Sequence, residues 1–316
     1  MRSYQLTAIT YQLFRMKSFD LQTYEKICNG RAGFHEQKRG LIAVWGKETV
    51  QFLDGMITND MKTLEDGQQM LAAFPNAQGR LLAVIRVLRQ GDRFLIETEE
   101  STLEKVYQNL FRFTFAGDFF VEDISDKYRS FVFFESSVDS LDAGFWKGEE
   151  FFSFAERGTN TFFIPTDWAE IFIRKAESFD ATRISDELYE TLRIESGVPK
   201  YGVDMEETTI VPELGLDGLI SYNKGCYIGQ EIIARIHFRG HVAKQLTGLL
   251  LSASVEVGTE LSTAEGKNAG RITSVMYSPK IEKHIALAFV RYDYLAAGTE
   301  LLAGDIYCKV TSLPFI

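Results

Sequence analysis

The segment of this chain best suited to chemistry contains one cysteine. Cys226 lies between Gly225 and Gly229, two residues after Lys224, and ahead of residues 230–237, whose pattern predicts a helix. Exposed N–H groups and the positive end of a helix dipole favour a thiolate there, and glycines let the backbone approach a ligand closely. The alternative is a small buried hydrophobe, as most unpaired cysteines are. The neighbouring residues favour a reactive thiol.

Cations cluster around and after this cysteine. The 21 residues from 224 to 244 contain one acid, Glu231, and four cations, which are Lys224, Arg235, Arg239 and Lys244. They form either a solvated helix face or a site for phosphates, carboxylates or an RNA backbone. His237 and His241 could join Cys226 around zinc, but the spacing fits no standard site. Three cysteines are too few for a self-contained iron–sulfur cluster, although a cluster shared with a partner stays open.

Glu195 is the second candidate. It falls in the last turn of a helix predicted to begin at Ser185, where a carboxylate opposes the helix dipole at a cost of about 0.3–1 kcal/mol. It could pair with Arg193 or Lys200 as an ordinary surface charge. It could instead accept two hydrogen bonds from a ligand such as a pterin ring, which offers an amino group and a ring N–H.

Composition limits the classes of function. A net charge of −10 and a pI of about 5.1 exclude general DNA or RNA coating, which needs a basic surface, but allow a local basic patch. The sequence has no apolar run of about 18 residues, no secretory signal at its start and no CxxC spacing. A reduced, cytoplasmic protein is expected. Phosphate-binding glycine loops and Ser-His-Asp patterns are also missing from the sequence.

The elements that must position these residues can be read from periodicity. Helices are predicted over 47–57, from a capping box at Ser101-Thr102-Leu103-Glu104, from Thr166 with Trp168, Ile171 and Phe172 buried, and from Ser185. Residues 76–79 form a hairpin turn between strands over 70–74 and 81–88. After Lys244, short strand-like runs broken by glycines predict a small β-barrel. The expected division is an α+β region over 1–243 and a barrel over 244–316, and residues 1–39 show no clear pattern.

The cysteine segment carries a family resemblance. Lys224-Gly225-Cys226-Tyr227-Ile228-Gly229-Gln230-Glu231, with Ala234-Arg235 and Arg239-Gly240 after it, closely resembles the motif of the YgfZ family of folate-binding proteins. Residues 40–60, 78–80 and 192–204 resemble further family blocks in the same order. The resemblance spans about residues 30 to 316. The wider superfamily includes the glycine-cleavage aminomethyltransferase, or T-protein, and the folate-binding domain of TrmE.

The resemblance implies a GcvT-like α+β fold in which two interleaved ferredoxin-like units and a C-terminal β-barrel surround a folate channel. The implied cofactor is tetrahydrofolate or a one-carbon derivative, with Glu195 on the pterin and Arg235 or Arg239 at the glutamate tail. It places Cys226, with Lys224, at the folate site. Further cofactor-binding residues in the matching blocks are Tyr227, Gln230, Asn59 and Tyr201. The implied partners are an iron–sulfur enzyme and tRNA, through the patch from Arg235 to Lys244.

One departure bears on the chemistry. Aminomethyltransferases carry an aspartate in the strand after the Gly79 turn, and this chain has Val84 there. Valine can neither accept a proton nor orient an amine. The resemblance therefore favours a YgfZ-type protein that supports iron–sulfur enzymes and tRNA modification. A true aminomethyltransferase and a non-catalytic folate-sensing adaptor, docking an iron–sulfur enzyme or tRNA, are the alternatives.

Overall fold

The structure is a computed structural model that describes residues 18–134, 151–156 and 158–316. The helices in these ranges, in chain order, are α1 (Ser18–Cys28), α2 (Thr49–Met56), α3 (Glu100–Phe111), α4 (Ala169–Ser178), α5 (Asp186–Glu195) and α6 (Gln230–Arg239). The strands are β1 (Gly33–Gln37), β2 (Arg39–Trp45), β3 (Gln69–Pro75), β4 (Leu81–Gln90), β5 (Arg93–Glu99), β6 (Phe120–Asp123), β7 (Tyr128–Phe134), β8 (Phe152–Glu156), β9 (Thr159–Pro165), β10 (Thr182–Arg183), β11 (Lys244–Leu251), β12 (Glu260–Ser262), β13 (Asn268–Ser278), β14 (Lys283–Arg291), β15 (Glu300–Ala303) and β16 (Ile306–Thr311).

The first sheet has the strand order β3-β4-β5-β2-β6. Consecutive side chains of its strands point to opposite faces, and one face packs on helices α2 and α3 and forms a closed core. Leu53 from α2 and Val106 from α3 meet Ile42 and Ile96 from the sheet there, all fully buried. The opposite face carries Leu41, Ala43 and Leu95 and packs against phenylalanines of the second sheet.

The second sheet has the order β10-β1-β7-β9-β8 and pairs antiparallel except for β1 with β10. Strand β1 belongs to this sheet, whereas β2, which follows after one residue, belongs to the first. The chain therefore crosses between the sheets at Lys38. Phenylalanines fill the core under α4, among them Phe131, Phe162 and Phe172.

Six strands close the C-terminal barrel in the order β11-β14-β13-β12-β15-β16. Closure pairs β11 with both β14 and β16, so none of the six strands leaves an unpaired edge. Its interior holds small and branched residues such as Leu249, Ala288 and Val310. The mixed α+β sheets and this barrel confirm the predicted fold class.

Two local predictions were wrong. Helix α3 begins at Glu100 with Glu99 as N-cap and no side-chain capping bond, so the Ser101 capping box does not form. The strand β5 runs directly into the helix, which removes the loop that a capping serine needs. On the helical segment after Thr166, Phe172 is buried, but Trp168 and Ile171 are 37% and 50% exposed. None of the described helices is both long and apolar enough to cross a bilayer.

Candidate functional site

A central cavity of about 460 Å³ lies between the two sheets. Strand β1 contributes His35 and Gln37 to its lining, and strands β2 and β5 contribute Arg39 and Glu99. Helix α5 and the loop after it, which includes Tyr201, form another part of the wall. Ligand sites typically have volumes of 300–1,000 Å³ with a few converging polar groups. The cavity between the sheets therefore has the size and the polar lining of a ligand site.

Helical periodicity decides which residues of α5 face this cavity. Asp186, Tyr189, Glu190 and Arg193 all line it, at the i, i+3, i+4 and i+7 positions of one helix face. Leu188 and Leu192 lie on the other face, packed against α1. Glu195 is seven residues after Leu188, so it shares the face that points away from the cavity.

The position of Glu195 follows from this geometry. Its side chain is fully buried, and Oε1 accepts hydrogen bonds from Tyr24 of α1 (2.8 Å) and from Ser278 of β13. Oε2 has no hydrogen-bond partner among the described residues. Burial raises the pKa of Glu195, and the two hydroxyl donors offset this only in part. The structure thus uses Glu195 to join α1 to the barrel and does not place it in the lining of the central cavity.

Glu99 is one of the carboxylates that line the cavity, and the one at the end of strand β5. It ends strand β5 directly opposite Arg39 of β2, and its Oε1 accepts the Tyr201 backbone N–H at 2.9 Å. Burial raises the pKa of Glu99, although Arg39 and the Tyr201 N–H act to lower it. A carboxylate held this way at a cavity wall can accept hydrogen bonds from a ligand.

A buried charge cluster lies two residues before Glu99. Glu97 is 1% exposed and accepts hydrogen bonds from the guanidinium groups of Arg86, at 2.7 Å, and Arg39. Burial tends to raise the pKa of Glu97, but the two arginines outweigh it and the pKa is lowered. Both arginines line the cavity. Their bonds to Glu97 fix the wall that presents Glu99.

Two aromatic rings stack at the opposite wall. The rings of His35 and Tyr189 lie 4.6 Å apart at an interplanar angle of 18°. The Tyr189 hydroxyl donates to Gln37 Oε1 at 3.1 Å, and His35 Nδ1 lies 3.4 Å from the Ile184 carbonyl oxygen. Burial lowers the pKa of His35 and raises that of Tyr189, so both rings are neutral at pH 7. The pair gives the cavity a flat wall with polar edges.

A second cavity of about 240 Å³ adjoins the first, since Arg86, Val198 and Pro199 line both. Leu71 and Asp217 form part of its far wall. Asn59, predicted from the resemblance as a cofactor-binding residue, supports that wall: its Nδ2 donates to the carbonyls of Leu71 (2.8 Å) and Gly218 (2.7 Å). Its amide thus binds backbone, and its side chain is absent from the linings of both cavities.

Lys224 stabilises the segment that contains Asn59. Its side chain is fully buried, and Nζ donates to the carbonyls of Asp54 (2.6 Å), Ile57 (3.0 Å) and Asn59 (2.6 Å). Asp54 Oδ1 lies 3.1 Å away. Burial lowers the pKa of Lys224, against the opposing effect of Asp54. An ammonium has three N–H donors, and three carbonyls take them, which makes Lys224 an anchor for the chain that carries Cys226.

The thiol lies on an ordered surface loop. Cys226 is exposed, and the loop is closed by Gln230 Nε2, which donates to the Gly225 carbonyl at 3.2 Å. Gly229 begins helix α6 at φ +81°, and a Cβ there would clash with the Asn76 carbonyl. The glycine therefore lets the hairpin turn over 76–79 sit against the helix start. Neither Cys226 nor Glu195 is among the residues that line the central cavity.

The remaining predicted residues lie in three places: the core, the cavity wall and the surface. Tyr227 is buried in the cluster with Leu81 and Ile233, and burial raises its pKa to about 12. Tyr201 lines the central cavity, with its hydroxyl 3.3 Å from Lys105 Nζ. Arg235 is exposed on α6 and is not part of the cavity wall, and the side chain of Arg239 lies outside the described residues.

No metal site is evident in the described part of the chain, where no group of three or more possible ligands comes together. His237 stacks on Tyr222 with ring centroids 3.7 Å apart, and His241 stacks on Tyr292 at 3.9 Å. These stacks place the two histidines on different aromatic partners, as elements of surface packing. Lys244 places its Nζ 4.7 Å from the Phe289 ring centre.

Sequence reasoning missed His35, Glu99 and Tyr189. His35 lies in the segment that showed no clear pattern, and Glu99 reads as one of several acids at a strand end. Tyr189 carried a usable signal, because it stands four residues before Arg193 on a predicted helix and so shares its face. The other two are brought to the cavity only by strand pairing across the sheets.

Known proteins resemble the chain over most of its length. Residues 244–316 match the family model for the glycine cleavage T-protein C-terminal barrel domain. An iron–sulfur cluster assembly factor IBA57 homolog of Mycosarcoma maydis is 25% identical, covering 88% of this chain and 78% of that protein. An aminomethyltransferase of Pseudothermotoga lettingae is 24% identical over 89% and 85%, and the tRNA-modifying protein YgfZ of Escherichia coli O157:H7 is 26% identical over 77% and 79%.

The crystal structure of the glycine cleavage system aminomethyltransferase T from Bartonella henselae superimposes with a TM-score of 0.82 at 21% identity, covering 93% of this chain and 89% of that one. The fold is therefore that of the aminomethyltransferase-like proteins. Together with the YgfZ and IBA57 relatives, it confirms the resemblance seen in the cysteine motif.

Proposed function

We propose that this chain binds a reduced folate, tetrahydrofolate or a one-carbon derivative, in the central cavity. The observation that carries the proposal is the cavity itself: about 460 Å³ between the two sheets, with the Glu99 carboxylate on one wall and the His35–Tyr189 stack on another. A flat heterocycle with N–H donors matches an aromatic wall and a carboxylate acceptor. The relatives named aminomethyltransferase and YgfZ support this choice of ligand class.

The residues present fit such a ligand. Glu99 has one oxygen committed to the Tyr201 N–H, which leaves acceptor capacity for the amino group and ring N–H of a pterin. Lys38 and Lys200, both at the rim with side chains 85% and 44% exposed, can meet the carboxylates of a glutamate tail. When bound, the folate would supply a carrier for a one-carbon unit. We assign the pterin carboxylate role to Glu99 in place of Glu195.

Isothermal titration with tetrahydrofolate tests this assignment. Glu99→Gln is expected to weaken binding by about 10- to 100-fold, because hydrogen bonds to a charged acceptor contribute about 1.5–3 kcal/mol. Glu104→Gln, at an exposed glutamate of the helix α3 that follows Glu99, is the matched control and should leave affinity unchanged. We expect Glu195→Gln to change affinity less than about threefold. If Glu195→Gln weakened tetrahydrofolate binding more than Glu99→Gln did, the pterin would be assigned to Glu195 instead.

We further propose that the chain supports iron–sulfur enzymes through the Cys226 thiol. The thiol is exposed, is carried by a loop anchored on Lys224, and lies four residues before helix α6. A surface thiol held this way is open to a large partner as well as to small molecules. The proposed support of iron–sulfur proteins is based on the name of the IBA57 relative, and the proposed role in tRNA modification is based on the name of the YgfZ relative.

Replacing the thiol separates its role from folate binding. Cys226→Ala is expected to retain tetrahydrofolate affinity, since Cys226 does not line the cavity, and to lose most cellular activity. The measurement is the specific activity of an iron–sulfur enzyme in cells that depend on this chain. Cys28→Ala, which removes the other exposed cysteine, is the control. Full activity with Cys226→Ala would refute the thiol role and favour a docking adaptor.

Aminomethyl transfer is the competing activity. Val84 lies in β4 opposite Ala73 and packs with the cluster around Leu81 and Ile233. At the position where the aminomethyltransferases carry an aspartate, this chain has a half-buried side chain that cannot move a proton. We therefore assign the folate site a different task from glycine cleavage.

A further inference from the structure

The hydrogen bonding of His35 fixes which of its ring nitrogens is an acceptor. Nδ1 lies 3.4 Å from the Ile184 carbonyl oxygen, and a carbonyl can only accept, so Nδ1 carries the proton. In the neutral ring Nε2 then has a free lone pair. Its nearest charged neighbour is Asp186 Oδ1 at 3.8 Å, which is also an acceptor. His35 therefore brings a hydrogen-bond acceptor to the cavity wall, while its ring plane is held by Tyr189.

An acceptor at this position distinguishes the oxidation states of a pterin. A tetrahydropterin ring carries N–H groups at its N5 and N8 atoms, and both can donate. In the fully oxidised ring, N5 and N8 carry lone pairs and no hydrogen. Placing such a nitrogen against Nε2 would oppose two acceptors and leave both unpaired, which is costly in a desolvated site. A site built to pair with an N–H rejects the analogue that lacks it.

We propose that His35 is a specificity residue of the folate site, which accepts a hydrogen bond from a reduced pterin ring and so selects tetrahydrofolate over folic acid. This inference rests on the proposed function and deepens it. It specifies the oxidation state of the ligand and the atom that recognises it, His35 Nε2. The stacked Tyr189 positions the imidazole, and its hydroxyl bond to Gln37 holds that stack in place.

Protonation gives a second readout. His35 faces Asp186 and Glu190 of α5, Arg183 of β10 and the apolar Val132 of β7. Burial is the largest influence and lowers the pKa of His35, so the ring is neutral at pH 7.5 and gains its proton only on acidification below its usual range near 6.5. The proton converts Nε2 from acceptor to donor. Preference for tetrahydrofolate should therefore stay constant from pH 7.5 down to about 6.5 and shrink as the pH is lowered further.

The experiment measures the dissociation constants of tetrahydrofolate, under anaerobic conditions, and of folic acid for the intact chain and two variants. His35→Phe keeps a flat ring on Tyr189 but removes both nitrogens, and should reduce the affinity ratio between the two folates about tenfold. His35→Gln offers an amide oxygen near the place of Nε2 and should keep most of the ratio, without its pH dependence. Circular dichroism checks that each variant is folded.

His241→Phe is the matched control, because His241 also stacks on a tyrosine, Tyr292, but lies outside the cavity lining. It should leave the ratio and its pH dependence intact. An unchanged ratio in His35→Phe, with both folates still binding, would overturn this inference and leave the proposed function standing. Failure of the wild-type chain to bind either folate would overturn the proposed function, and the inference with it.

Discussion

Replacing Asp204 by alanine is expected to lower the free energy of unfolding by about 3–5 kcal/mol, the range for removing one partner of a buried ion pair. Asp204 is fully buried, and its Oδ2 lies 2.9 Å from a guanidinium nitrogen of Arg193, which is 3% exposed. Oδ2 also accepts the Lys200 N–H at 3.0 Å. Oδ1 accepts the hydroxyls of Thr273 and Ser274, each at 2.6 Å. Without the carboxylate, four donors lose their acceptor in a dry environment.

The barrel strand is shaped to reach this carboxylate. Consecutive residues of a strand point to opposite faces, yet Thr273 and Ser274 both bind Asp204. The register of β13 against β14 shifts between Ile272 and Ser274, and this bulge turns both hydroxyls to one side. Asp204 thereby ties helix α5 to the barrel, and Arg193 of the same network lines the central cavity.

Urea denaturation of Asp204→Ala at pH 7 measures this effect. Asp305→Ala is the control, since Asp305 lies exposed in the turn between β15 and β16, and it should change stability by less than about 0.5 kcal/mol. We also expect weaker tetrahydrofolate binding in Asp204→Ala, because Arg193 loses the partner that holds it at the cavity wall. A loss of stability below about 1 kcal/mol would show that Arg193 is satisfied by its remaining acceptors, chiefly Glu190 and the Val198 carbonyl.

The candidate site shows where sequence patterns stop being informative. Glu195 stood out because its motif resembles a family block, but the helical period that predicts α5 already sets it beside Leu188 and Leu192. The same period places Tyr189 and Arg193 on the opposite face. Which of these faces meets a cavity depends on the packing of α1 and the barrel, and α1 lies in the segment that showed no pattern. Local periodicity therefore predicts the helix, whereas long-range packing determines which of its faces lines the cavity.

The fold itself could be predicted further than the site. Alternation along β4 and β5 and the glycine-broken strands after Lys244 follow from local rules. The transfer of β1 into the second sheet could not be read in the same way, because a strand's partners depend on contacts far along the chain. His35 and Glu99 come together through that transfer.

Replacing Lys224 by methionine is the second change with a large expected effect. It should lower the free energy of unfolding by about 3–5 kcal/mol. Methionine keeps the length of the side chain and removes only the ammonium. The carbonyls of Asp54, Ile57 and Asn59 would then lose a shared donor, and the carboxylate of Asp54, 7% exposed, would lose its buried counterion. Burial tends to raise the pKa of Asp54, and Lys224 is the strongest of the groups that hold it low, so the pKa of Asp54 should rise in the variant.

The chain provides its own control for this prediction. Lys62 lies 3.2 Å from the other oxygen of the same Asp54 carboxylate but is 63% exposed, so Lys62→Met should cost less than about 1 kcal/mol. The comparison separates burial from charge, because both variants remove one ammonium from one carboxylate. Hydrogen exchange on Lys224→Met should also show faster opening over residues 54–60 and 217–226, since the lysine ties these two segments together. Equal, small losses from the two variants would mean that Lys224 is not the anchor of the cysteine loop, and its place beside Cys226 in the motif would then point back to the thiol.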